Sequence, residues 1–85
     1  MPWTIDWSAR ALKDLGKLDT RTRERIVTAV ERLAATGEGD VRRLHGRDRD
    51  SFRLRVGEWR VLFMVLDGLV VLVARVHPRG SAYRP

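Results

Sequence analysis

The chain opens with a strand-like segment followed by a short helix. Residues 3–7, Trp-Thr-Ile-Asp-Trp, alternate apolar and polar side chains, as a half-buried strand does. Ser8 is a good N-cap for a helix over residues 9–15, which carries one apolar stripe, and Gly16 marks its end. The pattern predicts a short first strand joined directly to a first helix.

A second, longer helix is predicted over residues 22–35, with Asp19 or Thr20 as its N-cap. Its outer side carries arginine and glutamate side chains, so one face is apolar and the other solvated. The sequence Thr-Gly-Glu-Gly-Asp at residues 36–40 ends it, and the two helices form a short hairpin. The predicted buried face consists of Ile26, Val30, Leu33 and Ala34.

The second half of the chain changes to a period of two. Residues 51–56, 59–66 and 69–76 are predicted strands, and Asp67-Gly68 is a strong signal for a type I′ hairpin. Three strands in this order predict an antiparallel meander. The middle one is apolar on both faces, as expected of a central strand.

The first strand of the meander has two different faces. Phe52, Leu54 and Val56 share the face that is expected to pack on the helices, whereas Arg53 and Arg55 stand on the opposite face. That outer face is expected to carry charge.

Apolar side chains are also expected on the outer face, where Leu62, Met64 and Val73 should lie near the arginines. This is more apolar surface than a free monomer usually exposes. Pro78 and Gly80 predict that the tail after the last strand is irregular.

These elements predict a small α+β protein with two layers: an N-terminal strand, a two-helix hairpin and an antiparallel β-meander. The 85 residues suffice for one domain, expected to span residues 1–85. The lack of cysteine excludes disulfides, thiolate zinc sites and cysteine nucleophiles. No signal peptide and no membrane-spanning run is recognisable, so a cytoplasmic protein without membrane contact is expected.

The charge is distributed unevenly. The formal net charge is +6, residues 1–40 are balanced, and therefore all of the excess lies in residues 41–85. Apart from Lys13 and Lys17 every basic residue is arginine, whose rigid fork matches phosphate and stacks on bases. This favours a nucleic-acid partner, although a high-GC genome also favours arginine codons.

The arginines of the second half converge with two other reactive side chains. Arg53, Arg55 and Arg60 lie on paired strands, and His77 and Tyr83 follow the last strand. Such a set suits RNA cleavage by in-line attack of a 2′-hydroxyl, which needs charge stabilisation and a proton donor but neither metal nor cofactor. The alternatives are solvated strand arginines, a surface histidine and a tyrosine that anchors the tail.

Short motifs are spread over nearly the whole chain. They are ALKDL at residues 11–15, KL at 17–18, RLHG at 43–46, FRLRVGEWRVLF at 52–63, RVHPR at 75–79 and YR at 83–84. Together they resemble the RelE/ParE toxins of type II toxin–antitoxin modules. The strand pair ending in Gly-x-x-Arg-apolar-apolar-aromatic and the His-x-Arg-x-x-x-Tyr tail are the most specific parts.

The resemblance implies cleavage of messenger RNA in the ribosomal A site. Arg60 matches the arginine that contacts the scissile phosphate, and Tyr83 matches the C-terminal tyrosine. His77 falls where RelE has a catalytic arginine and where YoeB toxins have a catalytic histidine, which implies a general acid. The residues expected to bind RNA or phosphate are Arg43, Arg53, Arg55 and Arg79.

The resemblance leaves the general base open. RelE has lysines where this chain has Arg53 and Arg55, and an arginine is a poor base because it is always protonated. Arg42 stands near the position of the carboxylate base of YoeB toxins. Glu58 and His45 are weak candidates, and catalysis by positioning and electrostatics alone is a further alternative.

The resulting hypothesis is a ribosome-dependent endoribonuclease toxin in a hetero-oligomer with a small acidic, RelB-like antitoxin. The main alternative is a ParE-like poison of DNA gyrase that cleaves nothing, and a third is a module with a decayed site that only binds RNA. The set of Arg60, His77 and Tyr83 favours the nuclease, because a gyrase poison has no need of a protonatable group on that face.

Overall fold

The computed structural model describes residues 2–44 and 51–78, in which two helices cover one face of a five-stranded sheet. The strand order is β1-β5-β4-β3-β2; β1 runs parallel to β5 and all other neighbours are antiparallel. The predicted two-layer α+β class is confirmed. The elements are β1 (Thr4–Trp7), α1 (Ala9–Gly16), α2 (Thr20–Thr36), β2 (Asp40–Arg43), β3 (Ser51–Val56), β4 (Trp59–Leu66) and β5 (Val70–Pro78).

The predicted N-caps Ser8 and Asp19 are confirmed, although α2 begins two residues earlier and ends one residue later than predicted. The hydroxyl of Ser8 accepts a hydrogen bond from the amide of Ala11 at 3.0 Å, and the carboxylate of Asp19 accepts one from the amide of Thr22 at 3.3 Å. Gly37 follows α2 in the left-handed region, with φ of 78°, where glycine closes a helix at little steric cost. Local side-chain chemistry therefore defines both helices.

The hairpin between β4 and β5 is also as predicted. Asp67 and Gly68 both have positive φ, 53° and 67°, as a type I′ turn requires. The turn between β3 and β4 contains Gly57, whose φ of 60° lies in the left-handed region that favours glycine. A Cβ at that position would lie 2.8 Å from an Nη atom of Arg25, so the guanidinium of this α2 residue lies against the turn.

The meander has one more strand than expected, since β2 pairs with β3 at the edge of the sheet. The sequence pattern assigned Asp40 to the segment that ends α2 and predicted no element for residues 41–43. Three of its four residues are charged, so no apolar alternation identifies it, and its strand conformation is due to the ladder it forms with β3.

Strand β5 also departs from the prediction, because it continues through His77 to Pro78 instead of ending in an irregular tail at Val76. Pro78 is tolerated because it is the last residue of the strand, opposite Trp59.

A β-bulge changes which side chains of β5 face outward. Leu62 pairs with Arg75 but the next residue, Phe63, pairs with Val73, so Ala74 is an extra residue. Val73 consequently faces the helices and is fully buried, which contradicts its predicted place on the outer face. Without the bulge, strict alternation would place Val73, Arg75 and His77 on the same face of the sheet.

The core lies between the helices and the inner face of the sheet. No helix in the described part of the chain is long and apolar enough to cross a membrane. The core residues are Ala11, Leu15, Ile26, Val30, Leu33, Leu54, Val56, Val61, Phe63, Val71, Val73 and Val76.

Candidate active site

A row of polar side chains crosses the outer face of the sheet. Asp40 of β2 pairs with Arg55 of β3, Arg55 with Arg60 of β4, and Arg60 with His77 of β5. Paired residues of neighbouring strands point to the same face, so these four side chains line one side of the sheet. Since neighbouring strands lie about 4.8 Å apart, the row is about 14 Å long at the backbone. We call it the candidate catalytic row, or catalytic row for short.

A second row lies beside the catalytic row on the same face. Arg42 pairs with Arg53, Arg53 with Leu62, and Leu62 with Arg75. Together the two rows place five arginines on the outer face of four adjacent strands. This is the surface at which the excess positive charge of the second half converges.

Arg53 is unusual within this surface because it is only 7% exposed, whereas it was expected on the charged outer face as a residue that binds RNA or phosphate. It lies on a central strand, where neighbours on both sides cover its aliphatic stem. The carboxylate of Asp40 lies 3.9 Å from its Nη2 atom. Within residues 2–44 and 51–78 its buried Nε has no hydrogen-bond partner.

The arrangement of these charges opposes folding. Arg55 lies directly across from Arg60, and Arg42 directly across from Arg53. Like charges in directly opposed positions destabilise a sheet. A bound polyanion would remove this repulsion, so the surface is suited to phosphate.

His77 is the member of the catalytic row whose ordinary pKa lies near neutral pH. Desolvation lowers the pKa of its imidazole below the ordinary value, the guanidinium of Arg75 lowers it further, and the carboxylate of Asp14 acts in the opposite direction. In the free protein the ring is therefore largely neutral at neutral pH.

Asp14 of α1 is held close to this end of β5. Its carboxylate accepts hydrogen bonds from Nε of Arg75 at 2.9 Å and from the amide of Val76 at 2.8 Å. Burial alone would raise the pKa of Asp14, but the hydrogen bonds from Arg75 and Val76 outweigh it and hold the pKa below its usual value. The carboxylate is therefore ionised at neutral pH.

The structure brings Arg53, Arg55, Arg60 and His77 onto one face. It separates Arg43 from them, because Arg43 pairs with Phe52 on the helix-facing side and stacks over that ring at 5.6 Å.

Glu58 is a further candidate that the structure does not place with these residues. Glu58 is exposed in the turn between β3 and β4, outside the catalytic row. Tyr83, Arg79 and His45 lie outside the described residues.

Sequence reasoning missed Asp40 as part of this face. The residue stands in a Gly-Asp segment that is typical of a loop, and only the pairing of β2 with β3 places it in the catalytic row. Asp40 and Arg42 are two residues apart, so they share a face if the segment is a strand. This spacing is the sequence signal that could have placed Asp40 on the face of the arginines.

The family model of the ParE toxin of type II toxin–antitoxin systems, parDE, matches residues 5–83. The chain belongs to this toxin family. It is thus a type II toxin of the RelE/ParE superfamily, as the sequence motifs indicated. Among curated protein sequences none matches it.

Solved structures agree with this assignment. In the toxin–antitoxin complex RelBE2 from Mycobacterium tuberculosis, a chain 27% identical to this one superposes with a TM-score of 0.80 and covers 93% of this chain and 100% of its own length. The intact RelBE complex of E. coli contains a chain that is 26% identical, with a TM-score of 0.70 and coverage of 89% and 95%. The YoeB dimer from Staphylococcus aureus, at 16% identity, a TM-score of 0.72 and coverage of 91% and 97%, shares the fold.

Proposed function

We propose that this toxin is a ribosome-dependent messenger-RNA endoribonuclease. The observation that carries the proposal is the catalytic row, in which two opposed arginines adjoin a histidine on an otherwise strongly basic face. A surface that only binds phosphate needs the arginines but no histidine. A histidine at the end of the row adds a group that gains and loses a proton near neutral pH.

The proposed reaction is attack of a ribose 2′-oxygen on its own phosphate. The bond from O2′ to phosphorus forms and the bond from phosphorus to O5′ breaks, which leaves a 2′,3′-cyclic phosphate and a 5′-hydroxyl. Arg55 and Arg60 stabilise the charge on the non-bridging oxygens, and protonated His77 gives its proton to the departing O5′. Tyr83 would contribute a stacking surface for a base or a donor to phosphate.

The 2′-hydroxyl proton needs an acceptor, and Asp40 is our candidate. Its carboxylate is in the catalytic row at the end opposite His77, and its side chain is 60% exposed, so substrate can reach it. Asp40→Asn should then reduce single-turnover cleavage by about 10²–10⁴-fold. Asp6→Asn is the matched control, since Asp6 is an exposed carboxylate on β1, at the far edge of the same sheet.

Cleavage on programmed ribosomes tests the proposal. Single-turnover rates of the wild type and of His77→Gln are compared from about pH 5.5 to 8.5, a range that brackets the ordinary histidine pKa near 6.5. The variant should lose most of its rate and also the decline at alkaline pH. Equal rates for both proteins would mean that His77 is a surface residue.

Poisoning of DNA gyrase is the second candidate function, favoured by the match to the ParE family model. Induction of the toxin in cells separates the two. Rapid loss of translation with intact DNA supports the nuclease, whereas DNA breakage with continued translation supports the gyrase poison.

The proposed partner is an acidic, RelB-like antitoxin that forms a hetero-oligomer with the toxin. The related chains of known structure occur in toxin–antitoxin complexes. Half-buried Leu62 and Met64 lie on the basic face, so apolar anchors flanked by carboxylates would cover both kinds of surface. Co-expression should give a complex that loosens only at high salt or in denaturant. Failure of the toxin to bind the acidic product of a neighbouring gene would count against it.

A further inference from the structure

The end of β5 that carries His77 has no strand on one side within the described residues. Strand β1 pairs with β5 only from Val70 to Val73. Beyond that point α1 and its N-cap residue bind the backbone of β5 in place of a neighbouring strand, through two side chains. The hydroxyl of Ser8 donates to the carbonyl of the bulge residue Ala74 at 2.8 Å, and the carboxylate of Asp14 accepts from the amide of Val76 at 2.8 Å.

Asp14 makes this attachment with both of its oxygens. Oδ2 also accepts from Nε of Arg75 at 2.9 Å, and Oδ1 accepts from its Nη2 at 3.3 Å. The side chain of Asp14 is only 13% exposed and that of Arg75 is 30% exposed. A two-point pair that is largely shielded from water holds its partners in one geometry. The backbone on both sides of Arg75 is thereby fixed relative to α1.

His77 directly follows the residue whose amide Asp14 binds. Because the bulge at Ala74 reverses the alternation, His77 faces outward beside Arg60, and the attachment to α1 preserves that register. We propose that Asp14 is the positioning residue of His77 and that its charge raises the upper pH limit of cleavage. This inference rests on the proposed function, in which His77 acts as the general acid.

The charges around His77 explain the second part of the proposal. Arg75 lies on the same strand, Arg60 lies directly opposite on β4, and α1 contributes Arg10 and Asp14. Desolvation lowers the pKa of His77, the charges of Arg75 and Arg10 lower it too, and Asp14 raises it. Asp14 is thus the carboxylate that favours the protonated ring, which is the form a general acid needs.

The test replaces the two members of the Asp14–Arg75 ion pair one at a time, because the two substitutions should shift the pH profile of the cleavage rate in opposite directions. Asp14→Asn removes the charge that favours protonation, so the alkaline decline of the single-turnover rate should move to lower pH. Arg75→Gln breaks the same pair but removes a charge that opposes protonation, so the decline should move to higher pH. A merely structural role would give both variants the same loss of rate with an unmoved pH profile.

The ring of His77 can also be titrated by NMR in the isolated toxin, with His77→Gln to assign its signals. Its pKa should fall in Asp14→Asn and rise in Arg75→Gln. Glu38→Gln is the matched control, because it removes an exposed carboxylate bound to Arg32, and it should move neither the pKa nor the profile.

Each result has one interpretation. If His77→Gln loses the alkaline decline but Asp14→Asn leaves its position and the NMR pKa unchanged, the inference about Asp14 is wrong and the proposed function stands. If wild-type toxin does not cleave RNA on ribosomes, the proposed function is wrong, and an NMR shift would then show only an electrostatic contact without catalytic meaning.

Discussion

The two faces of the sheet are built from the same strands and differ in almost every physical respect. On the inner face Leu54 and Val61 are almost fully buried against the helices. On the outer face their chain neighbours Arg55 and Arg60 oppose each other across the same pair of strands. Burial of apolar surface stabilises the first arrangement, whereas like charges destabilise the second. Burial on the inner face therefore stabilises the fold. Repulsion on the outer face offsets part of that stabilisation, and it places positive charges where an anion can bind.

This comparison implies that activity and stability can be lost separately by changing adjacent residues. The largest expected effect is on the outer face, in Arg60→Ala. Loss of the charge next to His77 should abolish growth arrest and lower cleavage on ribosomes by about 10²–10³-fold, as for other removed electrostatic contacts. Arg60→Lys should be impaired as well, because a point charge does not replace the two-point fork.

The fold of this Arg60→Ala variant should be intact. Its circular dichroism, its melting temperature and its purification with antitoxin are the controls. A folded variant that remains fully toxic would contradict the place of Arg60 in the catalytic row.

The inner face should respond in the opposite way. Leu54→Ala removes a side chain that is 2% exposed in the core and should lower the free energy of unfolding by about 2–5 kcal/mol. The matched change Arg55→Ala, one residue along, should alter it little, since surface substitutions usually stay within about 0.5 kcal/mol. Urea denaturation of the two variants is the measurement. Equal losses of stability would contradict the division between the faces.

The sequence predicted the inner face well because its signals are local. The N-caps Ser8 and Asp19 and the hairpin residues Asp67 and Gly68 need only their chain neighbours, and alternation identified β3 and β4. The class of toxin followed from motifs of the same kind, such as the one around Arg60.

The outer face depended on contacts that no local pattern encodes. Strand β2 is charged and forms only against β3, so Asp40 was missed. The predicted outward placement of His77 was right and that of Val73 was wrong. The reason is the bulge at Ala74, because the extra residue puts Val73 and His77 on opposite faces of the sheet. The ion pair of Asp14 with Arg75 joins residues 61 positions apart, beyond any periodicity.

A substitution of Arg53 tests whether this buried side chain on the outer face stabilises the fold or serves function. The charge of Arg53 is buried, but the carboxylate of Asp40 that faces it is 60% exposed, so an apolar side chain of similar volume leaves no buried charge without a partner. Arg53→Met should therefore unfold at an equal or higher urea concentration, while cleavage on ribosomes falls. A clear loss of stability in this variant would move Arg53 into the group of structural residues with Leu54.

The smallest effect is expected for Glu38→Gln, which breaks a pair that belongs to neither face. The Oε1 atom of Glu38 lies 2.8 Å from Nη2 of Arg32, but the two side chains are 63% and 69% exposed. Water and salt screen such a pair, and ordering two long side chains costs entropy. The free energy of unfolding should change by only about 0.2–1 kcal/mol, and the change should shrink in high salt. A short distance alone therefore does not identify a stabilising contact in this protein. A cost as large as that of Leu54→Ala would show that surface charge pairs, and not the buried inner face, stabilise the fold.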